Sequence, residues 1–144
     1  MAKAVVDASV VMKWFLDEED GEQALRLRSD FLEGTLRLRV PALLPWEVMN
    51  ALRYSEDFGS RDLRRAAEGL DRAGLITIPL LGDYLARTIE FALAARITIY
   101  DASYLALGVV LSCPVYTSDE ALVGRDLSGV DVLHIRDYDS PLAP

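Results

Sequence analysis

Five short apolar runs, set apart by longer stretches of helical periodicity, constrain this chain more than any other feature. They are Lys3 to Val6, Leu36 to Val40, Leu75 to Ile78, Val115 to Thr117 and Val132 to Ile135. Runs this short, rich in Val, Ile and Leu, read as strands rather than helices. The segment Leu36-Arg37-Leu38-Arg39-Val40 also alternates with period two. Between the runs, helices are expected over Val10 to Leu16, Glu22 to Leu32, Trp46 to Tyr54, Ser60 to about Gly74, Asp83 to Ala95 and Asp101 to Leu111. Ser9 is the expected N-cap of the first, and Leu85, Ile89, Ala92 and Leu93 are expected to share a face of the fifth. Strands alternating with helices predict an α/β domain with a largely parallel sheet.

The chain has 144 residues, 51% of them hydrophobic, enough for one domain with a real core. A single domain over 1–144 is expected, with a loose tail over 138–144. No stretch reaches the roughly 18 uninterrupted apolar residues of a membrane span. The longest candidate, Ala102 to Val115, is broken by Ser103, Gly108, Ser112 and Pro114. The N-terminus runs straight into an apolar strand, so no cleaved signal is expected and the cytoplasm is the expected compartment. Cys113 and His134 are the sole residues of their kinds, which excludes an internal disulfide and a structural zinc site. Any bound metal would take oxygen ligands. The net charge of −8 argues against a general nucleic-acid binder, which carries a basic field. Lysine occurs only at Lys3 and Lys13, so the cations are nearly all arginine.

In open α/β sheets, ligands sit beyond the carboxyl ends of the strands. Asp7 ends the first apolar run, and Asp119 lies two residues past the fourth. Glu47 stands near the start of the helix after the second run, and Asp101 opens the helix before the fourth. Four acids converging there would repel strongly without a cation. Magnesium or manganese, hard ions that prefer oxygen, are the natural partners. Helix capping alone accounts for Asp101 or Asp119 taken singly.

Four ordered segments carry a resemblance. Val5-Val6-Asp7-Ala8-Ser9-Val10 with Lys13-Trp14, Pro45 to Leu52, Tyr100 to Leu107 and Thr117 to Leu122 together resemble the PIN-domain proteins of the VapC toxin group. The resemblance implies a three-layer α/β/α domain with a five-stranded parallel sheet in the order 3-2-1-4-5. It implies an endoribonuclease that hydrolyses RNA phosphodiester bonds at a Mg²⁺ site, with Mn²⁺ able to substitute. Carried over residue by residue, Asp7, Glu47, Asp101 and Asp119 match the family's acidic positions, and Ser9, Asn50 and Thr117 its frequent polar neighbours. It further implies a small VapB-like antitoxin as partner and a homodimer; no membrane association is expected from the lengths of the apolar runs.

Asp7 and Asp101 are the expected direct metal ligands, with Asp119 and Glu47 completing the site through water or as bases. Ser9 is a candidate for orienting a carboxylate, although a plain N-cap needs no function, and Thr117 carries the same ambiguity. Lys13 is expected to be solvated and His134 structural. Trp14, Trp46, Tyr54 and Tyr104 are able to stack on bases, but core packing or a subunit contact is the expected role. A phosphoacceptor receiver domain would need an acid after the third strand, where Ile78-Pro79-Leu80 has none. A haloacid-dehalogenase phosphatase would want an aspartate where Ser9 stands. The remaining alternative is a catalytically silent PIN fold that binds or scaffolds.

Overall fold

The apolar run at the N-terminus becomes the central strand, β1 (Ala2–Val6), of the computed structural model. Ala4, Val5 and Val6 are all buried, so both faces of this strand are covered, as a parallel sheet requires. The structure describes residues 2–125, 127 and 129–141. After β1 come α1 (Ala8–Met12), α2 (Gly21–Leu32), β2 (Leu36–Pro41), α3 (Leu44–Arg53), α4 (Ser60–Ala73) and β3 (Ile76–Ile78). The chain continues through α5 (Gly82–Ala95), α6 (Ile99–Leu111), β4 (Val115–Thr117), α7 (Glu120–Val123) and β5 (Val132–His134). The five strands are parallel, in the order β3-β2-β1-β4-β5.

Right-handed crossovers explain the layering. From β1 to β2 to β3 the chain steps one way across the sheet, and α1 to α4 cover one face. From β3 it returns past β1 to β4, so α5 and α6 fall on the other. The order reverses between β1 and β4, and this switch point opens a crevice at the carboxyl edge of the sheet.

α6 packs on β1, β2 and β4, and residues Ala102 to Gly108 are buried without a break. Its mostly apolar sequence is therefore a central helix, as expected. Gly108 permits the close fit, since a Cβ there would stand 2.6 Å from Val115 Cγ2.

Several local expectations are corrected. Asp7, not Ser9, is the N-cap of α1: its backbone is extended and its carboxylate accepts the Val10 N–H. α1 also stops at Met12, short of Leu16. Lys13 is buried rather than solvated, and its Nζ donates to the Glu19 carbonyl at 2.7 Å. In α5 the inward face carries Tyr84, Thr88 and Ala92, while Leu85, Ile89 and Leu93 face outward. Hydrogen bonding explains the inversion. Tyr84 donates to the Ser103 carbonyl and Thr88 to the Tyr84 carbonyl, both at 2.8 Å, so the hydroxyls are satisfied inside. Tyr138, expected to open the loose tail, is instead buried, stacks edge-on to Tyr116 and donates to Asp30 Oδ2 at 2.6 Å. Residues 142–144 of that tail lie outside the described residues.

Candidate active site

Sheet register brings the first two polar groups together. Val6 pairs with Tyr116, so Asp7 falls beside Thr117 at the ends of the two central strands. The Asp7 N–H completes the ladder by donating to the Tyr116 carbonyl at 3.1 Å. Thr117 donates its hydroxyl to Asp7 Oδ2 at 2.5 Å, and Ser9 donates to Asp7 Oδ1. Each hydroxyl is held in turn by a backbone amide: Asp119 N–H donates to Thr117 Oγ1 and Ser118 N–H to Ser9 Oγ, both at 3.0 Å. With its oxygen occupied as acceptor, each hydroxyl has its hydrogen free to aim at Asp7.

Even so, burial outweighs these bonds and pushes the Asp7 carboxyl up to about 6. The remaining acids also sit at helix starts. Glu47 lies in the first turn of α3 and Asp101 in the first turn of α6, while Asp119 caps α7 by accepting the Ala121 N–H at 2.9 Å. Helix N-termini carry partial positive charge, which favours carboxylates there. Asp101 does not cap its own helix, since that position is Thr98, whose Oγ1 accepts the Asp101 N–H at 3.0 Å.

The acids feel one another. Desolvation raises the Glu47 carboxyl, and the charge on Asp101 raises it further. Desolvation also raises Asp101, with the charge on Asp119 acting in the same direction. Tyr104 supplies the link back to the first strand. Its hydroxyl donates to Glu47 Oε1 at 2.6 Å, and it lies within electrostatic reach of Asp7. Asp7, Glu47, Asp101 and Asp119 thus belong to one connected network at the crevice. Ser9 and Thr117 hold Asp7 directly. Asn50 is exposed one turn beyond Glu47 on α3 and lines a cleft with it.

Two residues of this network escape a reading of the sequence. Tyr104 packs in the core, as expected, but its bond to Glu47 is not foreseen; its place three residues after Asp101 puts both on one face of α6, and that spacing is the available signal. Arg125 lies close enough to lower the Asp101 carboxyl and donates Nη1 to the Ala95 carbonyl. No pattern marks it. His134 stands apart, with Nδ1 accepting the Arg136 N–H and Nε2 3.6 Å from Glu120.

The donor set is four carboxylates with hydroxyl and amide neighbours, the chemistry of a hard divalent cation. Among the described residues, no three His, Cys, Asp or Glu side chains already stand in metal-binding geometry. The fit therefore rests on donor type and on the burial that raises Asp7, Glu47 and Asp101, with a neighbouring acid adding to the last two. Among the described residues, no single helix is long and apolar enough to cross a membrane.

Comparison with known proteins bears on the family and the fold. A VapC ribonuclease of Mycobacterium bovis is 31% identical over 118 residues, spanning 80% of this chain and 84% of its own. The PAE2754 structure from Pyrobaculum aerophilum superposes with a TM-score of 0.64 at 22% identity, covering 91% of this chain and 89% of that one. A toxin–antitoxin complex from Klebsiella pneumoniae contains a chain that superposes with a TM-score of 0.66 at 16% identity, covering 88% of this chain and 94% of that one. At such identities the two structures speak for the fold alone. The family model described as the PIN domain matches residues 4–126, a span that holds all four acids. Together with the relative at 31% identity, that match establishes that the chain belongs to the PIN domain family, within its VapC group.

Proposed function

We propose that the chain is a divalent-metal-dependent endoribonuclease and the toxin of a toxin–antitoxin pair. The observation that carries the reading is the set of four carboxylates from four helix starts, linked through Tyr104 and Thr117 into one site. Mg²⁺ is the proposed ion, which Asp7 and Asp101 would hold directly and Asp119 and Glu47 through water, with Mn²⁺ able to substitute. When bound, the ion supplies positive charge for the phosphate and acidifies a water.

The chain's own groups do the rest. Ser9 and Thr117 fix the Asp7 carboxylate from both oxygens. Glu47 is the general base: its proton affinity is raised, and Tyr104 holds Oε1. Oε2 then takes a proton as the water oxygen bonds to phosphorus and the bond to the 3′-oxygen breaks. The products are a 5′-phosphate and a 3′-hydroxyl, the second proton coming from solvent.

The partner belongs to the same reading. A structural neighbour is a toxin–antitoxin complex, and a chain of net charge −8 suits a basic inhibitor peptide. The outward stripe Leu81, Leu85, Ile89 and Leu93 on and before α5 is the proposed face for a second copy. Action in the cytoplasm follows from an RNA target inside the cell.

Incubation of end-labelled RNA with purified protein tests the reading. Cleavage is expected in Mg²⁺ or Mn²⁺, with 5′-phosphate ends, and none in EDTA or with Asp7→Asn. Failure of the wild type to cleave any RNA in either metal would leave a PIN fold that only binds.

A further inference from the structure

Three cations meet on the amino half of the sheet, at the far end of the strands from the acids. Lys3 of β1 stands directly beside Arg37 of β2 in the register, and Arg39 follows two residues along the same strand. Side chains alternate along a strand, so all three share a face with Val5, whose register partner Val115 lies against Gly108 of α6. α6 covers this face over the buried Val5, but the cover stops there. Lys3 and Arg37 are exposed and Arg39 is half-buried, with its Nη1 donating to the Leu38 carbonyl at 3.0 Å. Ile76, the register partner of Arg39 on β3, is 48% exposed beside them. Among the described residues the ion pairs join Arg87 to Asp83, and His134 and Arg136 to Glu120, so none of the three cations has an anionic partner. Like charges directly opposite on neighbouring strands destabilise a sheet, and parallel sheets ordinarily have both faces covered. No contact among the described residues offsets this crowding.

We propose that Lys3, Arg37 and Arg39 anchor the phosphate backbone of RNA, on a segment remote from the bond being cut. The proposal rests on the ribonuclease reading and adds where the chain takes hold of its substrate. Lys3 is four residues before Asp7, so the anchor lies about 13 Å from the acids along β1. A chain of net charge −8 has no general attraction for a polyanion, and four carboxylates repel one until a cation binds. The hold on RNA therefore falls to a local cluster of positive charge. Arginine's planar fork suits phosphate oxygens, and lysine adds a point charge. Arg37 and Arg39 stand roughly 7 Å apart along β2, close to the step between phosphates in an extended strand. A flat face with cations at that step fits a polymer charged at every residue better than a protein segment, whose carboxylates vary in spacing. Ile76 adds an apolar surface for a ribose. The exposed arginines of α4, Arg61, Arg64, Arg65 and Arg72, are interleaved with Asp62, Glu68 and Asp71, so that helix offers no comparable unmixed charge.

Salt-dependent binding tests the proposal. The probes are labelled oligouridylates of about four and about twenty nucleotides, titrated with protein in EDTA over a range of salt and followed by anisotropy. Lys3→Gln, Arg37→Gln and Arg39→Gln are each expected to weaken binding of the long RNA about three- to tenfold at low salt. Each is also expected to flatten the slope of log affinity against log salt by about 0.7. Arg37→Glu separates this role from a structural one. It sets a carboxylate opposite Lys3, so the melting temperature is expected to hold or rise while affinity for the long RNA falls most. In Mg²⁺ these variants are expected to raise KM on the long RNA rather than to lower kcat. Arg87→Gln, whose charge is paired with Asp83, is expected to keep the wild-type slope. Wild-type affinity and slope in all three glutamine variants overturn the anchor, as does an equal loss on the short RNA. So does a changed oligomeric state of Arg37→Glu with RNA binding intact, which gives the face to a second copy. Loss of polyglutamate binding alone gives the face to an acidic protein segment and overturns the anchor too. If those results come with normal Mg²⁺-dependent cleavage, the ribonuclease reading survives without the anchor. If the variants weaken RNA binding as expected while wild type cleaves no RNA, the anchor stands and the catalytic reading falls.

Discussion

Thr117 donates its hydroxyl to Asp7 Oδ2 at 2.5 Å across the join between the two central strands. The bond spans 110 residues of sequence and sits where the sheet order reverses. Because the Asp119 N–H donates to Thr117 Oγ1 at 3.0 Å, one hydroxyl sets both the orientation of Asp7 and the start of the loop that carries Asp119.

Replacing Thr117 by valine keeps the shape and removes the donor. Thr117 is fully buried, so the Asp119 amide and one Asp7 oxygen both lose a partner. Hydrogen bonds to charged groups contribute about 1.5–3 kcal/mol, and a loss of that size is expected in urea unfolding at pH 8. Thr117→Ser, which restores the hydroxyl, is expected to recover most of it.

Asp7 gives a pH-dependent stability of definite sign. Its folded pKa of about 6 lies above the ordinary 3.8, so the folded state binds its proton more tightly than the unfolded chain. The resulting stabilisation is fully present below about pH 4 and is lost as pH rises through about 6. The difference is on the order of 2–3 kcal/mol for a group this buried. In EDTA, wild type is therefore expected to gain stability from this group as pH falls from 7 toward 4. Asp7→Asn is expected to lose that slope and to melt higher than wild type at pH 7. Thermal melts across this pH window check it; identical slopes in both proteins would remove Asp7 as the cause.

Tyr104→Phe separates positioning from packing. The ring stays, and only the hydroxyl that donates to Glu47 is lost. That bond lowers the Glu47 carboxyl, so its loss raises the pKa and the acidic limb of the cleavage profile moves to higher pH. The variant is expected to lose more activity at pH 6 than at pH 8. A uniform loss at all pH values would mark Tyr104 as packing alone.

Much of the site is legible in the sequence because strand ends are. Val5-Val6 and Val115-Tyr116 are apolar runs whose termination fixes Asp7 and Thr117 at one edge, and parallel topology brings such edges together. What escapes is whatever depends on the angle of a helix. Leu85, Ile89 and Leu93 read as a core face, but the buried hydroxyls of Tyr84 and Thr88 take that side. Ser9 reads as a cap because serine caps well; Asp7, one residue after the strand, is already extended and takes the place. Lys13 reads as solvated because nothing in the spacing announces the Glu19 carbonyl that holds it. Arg125 reaches Asp101 only through the tertiary fold.

Isothermal titration of Mg²⁺ into metal-free protein at pH 6 tests the shared carboxylate site most directly. Acids with raised pKa values give up protons when a cation binds, so binding is expected with net proton release, seen as a dependence of the heat on buffer ionisation enthalpy. Asp101→Asn is expected to weaken the affinity, and Asp7→Asn to weaken it and abolish most of the proton release. Binding of equal strength and proton release in wild type and both variants, or no binding by wild type at millimolar Mg²⁺, would contradict a common site built by these acids.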